Sequence, residues 1–128
     1  MQESTGKVRP IHGDAGKSAG IYQVQIPSPA TCDGTTYGTC PLSTITTMAQ
    51  EGIYGHSSTS TAPTAPGLAY WLNAEGGDVA LAVRGYNTGI ITDSNDLTDI
   101  AMGTPAYVSD IANRLVGGLV GSPRPYTC

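Results

Sequence analysis

Proline and glycine divide this chain into short segments, and that punctuation limits what it can build. Seventeen Gly and nine Pro are spread over 128 residues, and four of the intervals between them carry helical spacing. Pro41 suits a first helical position, Ile45, Met48 and Ala49 fall on one face, and Gly52 closes the segment. Residues Pro66 to Asn73 place Leu68 and Leu72 inward and end at Gly76-Gly77. Asp78 caps a third helix, Val79 to Tyr86, whose apolar character on several faces predicts burial. Thr104 caps and Pro105 starts a fourth, with Val108, Ile111, Ala112 and Leu115 in one stripe and Gly117-Gly118 at its end. Asp110 and Arg114 stand one turn apart on it, the spacing of a helix-supporting ion pair. Four helices, long loops and no convincing sheet predict a mainly α fold.

The remaining stretches read as connections. Residues 1–6 look like the last turn of a helix, with Gly6 as its stop, and 7–19 like an open loop around Pro10, Gly13 and Gly16. Residues 20–26 alternate about Ile21, Val24 and Ile26, a short strand ended by Pro27 and Pro29. The Ser/Thr/Ala/Pro tract of 55–65 reads as a surface loop, and 90–103 as an Asp-rich one. Asp93, Asp96 and Asp99 are expected to be solvated there, Asp96 as a turn former. With no internal repeat, residues 1–128 are expected to form a single domain. Met1 is followed by polar residues, and the chain opens inside an apparent helix end. A trimmed product lacking an upstream segment is therefore expected.

Charge and cysteine usage narrow the partners and the compartment. A net charge of −4 with only six Lys plus Arg argues against nucleic acid, whose phosphates demand clustered basic residues. No run of about 18 apolar residues exists to cross a membrane. Cys32 and Cys40 bracket a short Asp-Gly turn that a disulfide could close, leaving Cys128 over. Three cysteines without CxxC spacing make a metal site a poor reading, and no metal or cofactor is expected. Ser, Thr and Gly in place of charge suit a secreted, loop-rich protein, expected to be a monomer.

Three motifs then carry a more specific signal. Glu3-Ser4, Gly20-Ile21-Tyr22-Gln23 and Gly85-Tyr86-Asn87-Thr88-Gly89 follow one another along the chain. In type and order they resemble the Glu-Ser step, the Gly-Leu-Met-Gln-like segment and the Ala-Tyr-Asn-x-Gly-like segment of the goose-type lysozymes and soluble lytic transglycosylases. The departures are Tyr22 in place of Met and Gly85 in place of Ala. Gln2-Glu3-Ser4, the Tyr-Asn-x-Gly segment and Ser109-Asp110-Ile111-Ala112-Asn113-Arg114-Leu115 are also similar to secreted fungal muramidase-like proteins. The resemblance spans roughly residues 1–117. It implies a lysozyme-like α-rich domain that cleaves the β-1,4 bond between N-acetylmuramic acid and N-acetylglucosamine in bacterial peptidoglycan.

Each residue has a chemical role and a bland alternative. Glu3 would be the general acid, kept protonated by partial burial; the alternative is a solvated terminal Glu. Gln23 and Gln25 offer amide donors and acceptors to sugar hydroxyls, with Tyr22 beside them, while Ile21 and Val24 are core. The resemblance places Gln23 by the acid and puts Tyr86 and Asn87 in the substrate groove; a buried Tyr with a satisfied hydroxyl is the alternative. Asp14, in the loop joining the acid to the Gln segment, is the candidate second carboxylate, able to hold a water. Where no second carboxylate acts, the substrate's own N-acetyl or 6-hydroxyl group serves, the latter giving an anhydro-sugar. His12 and His56, in Gly/Ser loops without a triad context, read as surface residues. Other readings stay open: a chitin-type substrate, a glycan-binding or effector-like module with a dead site, and a structural domain associating through Cys128.

Overall fold

A computed structural model describes residues 12–25, 30–33, 39–56 and 65–116. They fall into two compact units, one up to Tyr70 and one from Trp71 onward. The described part is mainly helical: α1 (Leu42–Tyr54), α2 (Leu68–Ala74), α3 (Val79–Thr88) and α4 (Tyr107–Leu115), with two pairs of two-residue strands, one before α1 and one between α1 and α2. The expectations for residues 1–6 and for Cys128 lie outside the described residues.

In the first unit, the stretch read as an open loop followed by one strand is a compact double turn. A 3-10 turn at Asp14–Gly16 leads into strand β1 (Ser18–Ala19), which pairs antiparallel with β2 (Val24–Gln25). Gly13 bridges to Ser18 through both backbone bonds, at 3.0 and 3.2 Å. Residues 20–23 are the hairpin turn, so among the described residues of the expected 20–26 strand only Val24 and Gln25 are extended. Single-sequence alternation cannot show a chain reversing inside an apolar run, because Ile21 and Val24 are buried either way.

Helix α1 starts one residue later than a first helical position at Pro41 predicts, with Pro41 as its N-cap. It does not stop at Gly52 but continues to Tyr54, and Gly55, at φ 87°, ends it. Gly52 serves packing: a Cβ there would lie 2.4 Å from Cγ of Tyr22. Met48, Ile21 and Cys32 form the buried cluster, with Ile45, Ala30, Tyr22 and Cys40 packed around it. Cys32 and Cys40 are disulfide-bonded, their Cα atoms 5.6 Å apart, as expected for the loop before this helix. Of the expected loop 55–65, the ends pair as β3 (Gly55–His56) and β4 (Ala65–Pro66), and residues 57–64 lie outside the described set. Leu68 and Leu72 are each 38% exposed rather than inward, and α2 buries no residue.

The second unit is organised by α3 and α4. Asp78 caps α3 as expected, its Oδ1 accepting from the Ala80 and Leu81 amides at 2.9 and 3.0 Å. The helix runs two residues beyond Tyr86, ending at Gly89 in the left-handed conformation. Ala82, Val83, Arg84, Gly85 and Thr88 are buried. Helix α4 begins at Tyr107, later than Thr104-Pro105 predicts. The carbonyls of Thr104 and Pro105 accept from the Arg84 guanidinium, at 2.9 and 2.7 Å, which holds this dipeptide in a turn before the helix. The inward face shifts accordingly. Tyr107 is buried, Val108 and Ile111 are half-buried, and Ala112 and Leu115 face solvent.

Candidate functional site

The first group of candidate residues lies in the double turn of residues 13–25. Its backbone is unusual because three non-glycine residues, Asp14, Ala15 and Gln23, have φ of 51°, 56° and 49°. Left-handed backbone at residues with a Cβ costs on the order of 1–2 kcal/mol each and persists only where neighbours hold it. The holding groups are visible. Gln23 Oε1 accepts from the Gly13 amide at 2.7 Å, and Gln23 Nε2 donates to the Gly20 carbonyl at 3.1 Å. One side chain thus ties both turns together. A primary amide has two lone pairs and two N–H groups, so each end of Gln23 keeps one further bonding capacity.

Around it, Asp14 accepts from the Ser18 hydroxyl and is otherwise exposed. Tyr22 is half-buried with its ring over Gly52, and Gln25 is exposed on β2 opposite Ser18. His12 is less isolated than a lone surface histidine: its Nε2 lies 2.8 Å from Oδ2 of Asp33. Both side chains are more than a third exposed, so the pair contributes little to stability. Glu51 of α1 accepts from the Ala30 amide at 2.8 Å and anchors the segment before Cys32. Neither pairing was legible, because both join residues 21 positions apart.

The second unit carries Tyr86 and Asn87. Both are half-buried in the last turn of α3. Asn87 Oδ1 accepts from the Thr104 amide at 2.9 Å and from Arg84 at 3.3 Å, so this oxygen is engaged by the chain's own groups. Gly103, at φ 98°, makes room for it, since a Cβ there would lie 2.6 Å from Oδ1. Gly85 also has a packing reason. A Cβ on it would lie 2.3 Å from Cε3 of Trp71, so the ring packs where a side chain would stand.

Arg84 is the residue that sequence reasoning missed. It is 1% exposed, and its guanidinium donates to the carbonyls of Leu97, Thr104 and Pro105 as well as to Asn87. Burial pulls its pKa down, and the nearby Asp96 carboxylate opposes this; the group stays cationic. Asp93 and Asp96 accept from the amides of Asn95 and Thr98 at 2.8 and 2.9 Å, as turn formers in the loop. Hydrogen bonds from Thr98 hold the Asp96 carboxyl below the usual aspartate range, with Arg84 adding to the same direction. An Arg inside a helical pattern normally reads as solvated, and only the fold reveals the carbonyls around it.

Glu3 lies outside the described residues; Gln23 belongs to the first unit and Tyr86 to the second. Among the described residues, no group of three or more His, Cys, Asp or Glu is arranged to hold a metal ion. No described helix is long and apolar enough to cross a membrane. Comparison with known proteins returns no matching family model, no matching curated protein and no matching solved structure.

Proposed function

We propose that this chain is a secreted, lysozyme-like glycosidase that cleaves the β-1,4 bond between N-acetylmuramic acid and N-acetylglucosamine in peptidoglycan. The observation that carries the reading is the order of three motifs, Glu3-Ser4, Gly20-Ile21-Tyr22-Gln23 and Gly85-Tyr86-Asn87-Thr88-Gly89. The strained turn around Gln23 supports it, because backbone strain of this kind concentrates at binding and catalytic sites. The Cys32–Cys40 disulfide supports an oxidising, extracellular setting.

Glu3 acts as the general acid. Its proton passes to the glycosidic oxygen as the bond to the anomeric carbon breaks, and the Glu3 carboxylate remains. The anomeric carbon is then captured in one of two ways. Water attacks, losing a proton to Asp14, or the 6-hydroxyl of the muramic acid closes an anhydro ring and returns a proton to Glu3. The exposed Asp14 carboxylate, steadied by Ser18, suits the first route. Tyr22, Gln23, Gln25 and Tyr86 orient the sugars, Gln23 with the capacity its internal bonds leave. At net charge −4, electrostatic steering towards an anionic wall contributes nothing.

A second reading has a specific observation in its favour. The bonding capacity that Gln23 keeps beyond its two internal bonds suits sugar binding without any turnover, as in a glycan-binding module. Incubation with purified peptidoglycan separates the two. The glycosidase releases reducing ends or anhydro-muropeptides detectable by mass spectrometry, whereas the binding module co-sediments with peptidoglycan and releases neither. Release from chitin alone would move the substrate class to chitin.

A further inference from the structure

We infer that Arg84 is a positioning residue for the glycan-cleaving site, fixing through Asn87 and the Leu97–Pro105 backbone the helix end that presents Tyr86. The inference rests on the glycosidase reading above. Arg84 reaches 13, 20 and 21 residues along the chain to the carbonyls of Leu97, Thr104 and Pro105. It also meets Asn87 Oδ1, which holds the Thr104 amide, so helix end and loop are joined from both directions. Thr88 adds a third tie, its hydroxyl lying between the Arg84 and Ile90 carbonyls. Tyr86 sits between these ties and Gly85, over which the Trp71 ring lies. Its backbone cannot move without breaking one of these contacts.

Stability alone is a poor reason for this arrangement. A buried cation must be desolvated, and apolar residues of similar volume often replace buried ionic groups without loss. The Arg84 Nε has no hydrogen-bond partner among the described residues, a further cost. What the guanidinium supplies that an apolar side chain cannot is direction: a planar fork fixing several acceptors at once. Neither Asn87 nor Arg84 needs to touch the substrate for this.

The test compares wild type with Arg84→Lys and Gly103→Ala. Lysine keeps the cation but cannot span the same acceptors. The Gly103→Ala methyl would displace Asn87 Oδ1 and strain the backbone at φ 98° while leaving the buried cation in place, and it carries both readouts if Arg84→Lys does not fold. One readout is hydrogen exchange at the Thr104 amide. The other is kcat and KM on peptidoglycan fragments per folded molecule, well below the melting temperature. The expected result is exchange faster by about tenfold or more. With it, kcat falls about ten- to a hundredfold while KM stays within about threefold. A residue that serves stability alone would leave kcat per folded molecule unchanged. Faster exchange with unchanged kcat, or unchanged exchange in a folded variant, overturns the inference. Should wild type cleave no glycan, the glycosidase reading falls with the positioning role, and the exchange result alone decides whether the internal tie exists.

Discussion

Replacing Gly85 by alanine should destabilise the protein even though alanine is the better helix former. The added Cβ would lie 2.3 Å from Cε3 of Trp71. Ordinary carbon–carbon contacts are about 3.5–4.0 Å, so ring and helix must separate by roughly 1.2–1.7 Å. Overpacking of this kind costs about 1–3 kcal/mol, and a rigid indole over backbone puts the expected cost near 2–3 kcal/mol. Alanine returns about 1 kcal/mol through helix propensity. The net loss is about 1–2 kcal/mol, or roughly 4–8 °C in Tm for a chain of this size. Thermal denaturation followed by circular dichroism measures it. Trp71→Leu in the same molecule should relieve the clash, giving a coupling of about 1–2 kcal/mol in a double-mutant cycle. An unchanged or higher Tm for Gly85→Ala would refute the packing of Trp71 over Gly85.

Two further outcomes follow from the hydrogen bonds. Gln23→Ala removes the side-chain bonds to the Gly13 amide and the Gly20 carbonyl while the backbone bonds of both turns remain, and should cost about 1–2 kcal/mol by urea denaturation; an unchanged midpoint would remove Gln23 as the tie between the turns. Asp96, held below its unfolded pKa by Thr98, contributes stability above the ordinary aspartate range and loses it as pH falls through its lower folded value. An NMR titration in which Asp96 protonates at or above the ordinary range contradicts this.

The helices were legible because their signals are local. Asp78 starts α3 where predicted, Pro41 marks the start of α1 to within one residue, and the Cys32–Cys40 pair closes the expected loop. The errors arise where a distant residue decides the outcome. Gly52 reads as a stop from its neighbours, but Tyr22 uses its missing side chain for packing. Pro105 reads as a helix start, but Arg84 holds its carbonyl in a turn. Leu68 and Leu72 have inward spacing, yet a helix as short as α2 offers little buried face to receive them. Among the candidate residues, Gln23 and Tyr86 are singled out by residue type and order alone. The internal commitments of Gln23 and Asn87 were not legible, because their partners are 3 to 17 residues away in turns that only the folded chain forms.

Turnover of purified peptidoglycan by Glu3→Gln beside the wild type tests the proposed chemistry most directly. Glutamine keeps the size and hydrogen-bonding reach of glutamate but cannot give a proton to the leaving oxygen, and general acid catalysis is worth about two to four orders of magnitude. With circular dichroism confirming the fold, Glu3→Gln should retain glycan binding and lose turnover by about a hundredfold or more. A folded Glu3→Gln protein that cleaves peptidoglycan as fast as the wild type would contradict the role of Glu3 and the mechanism built on it.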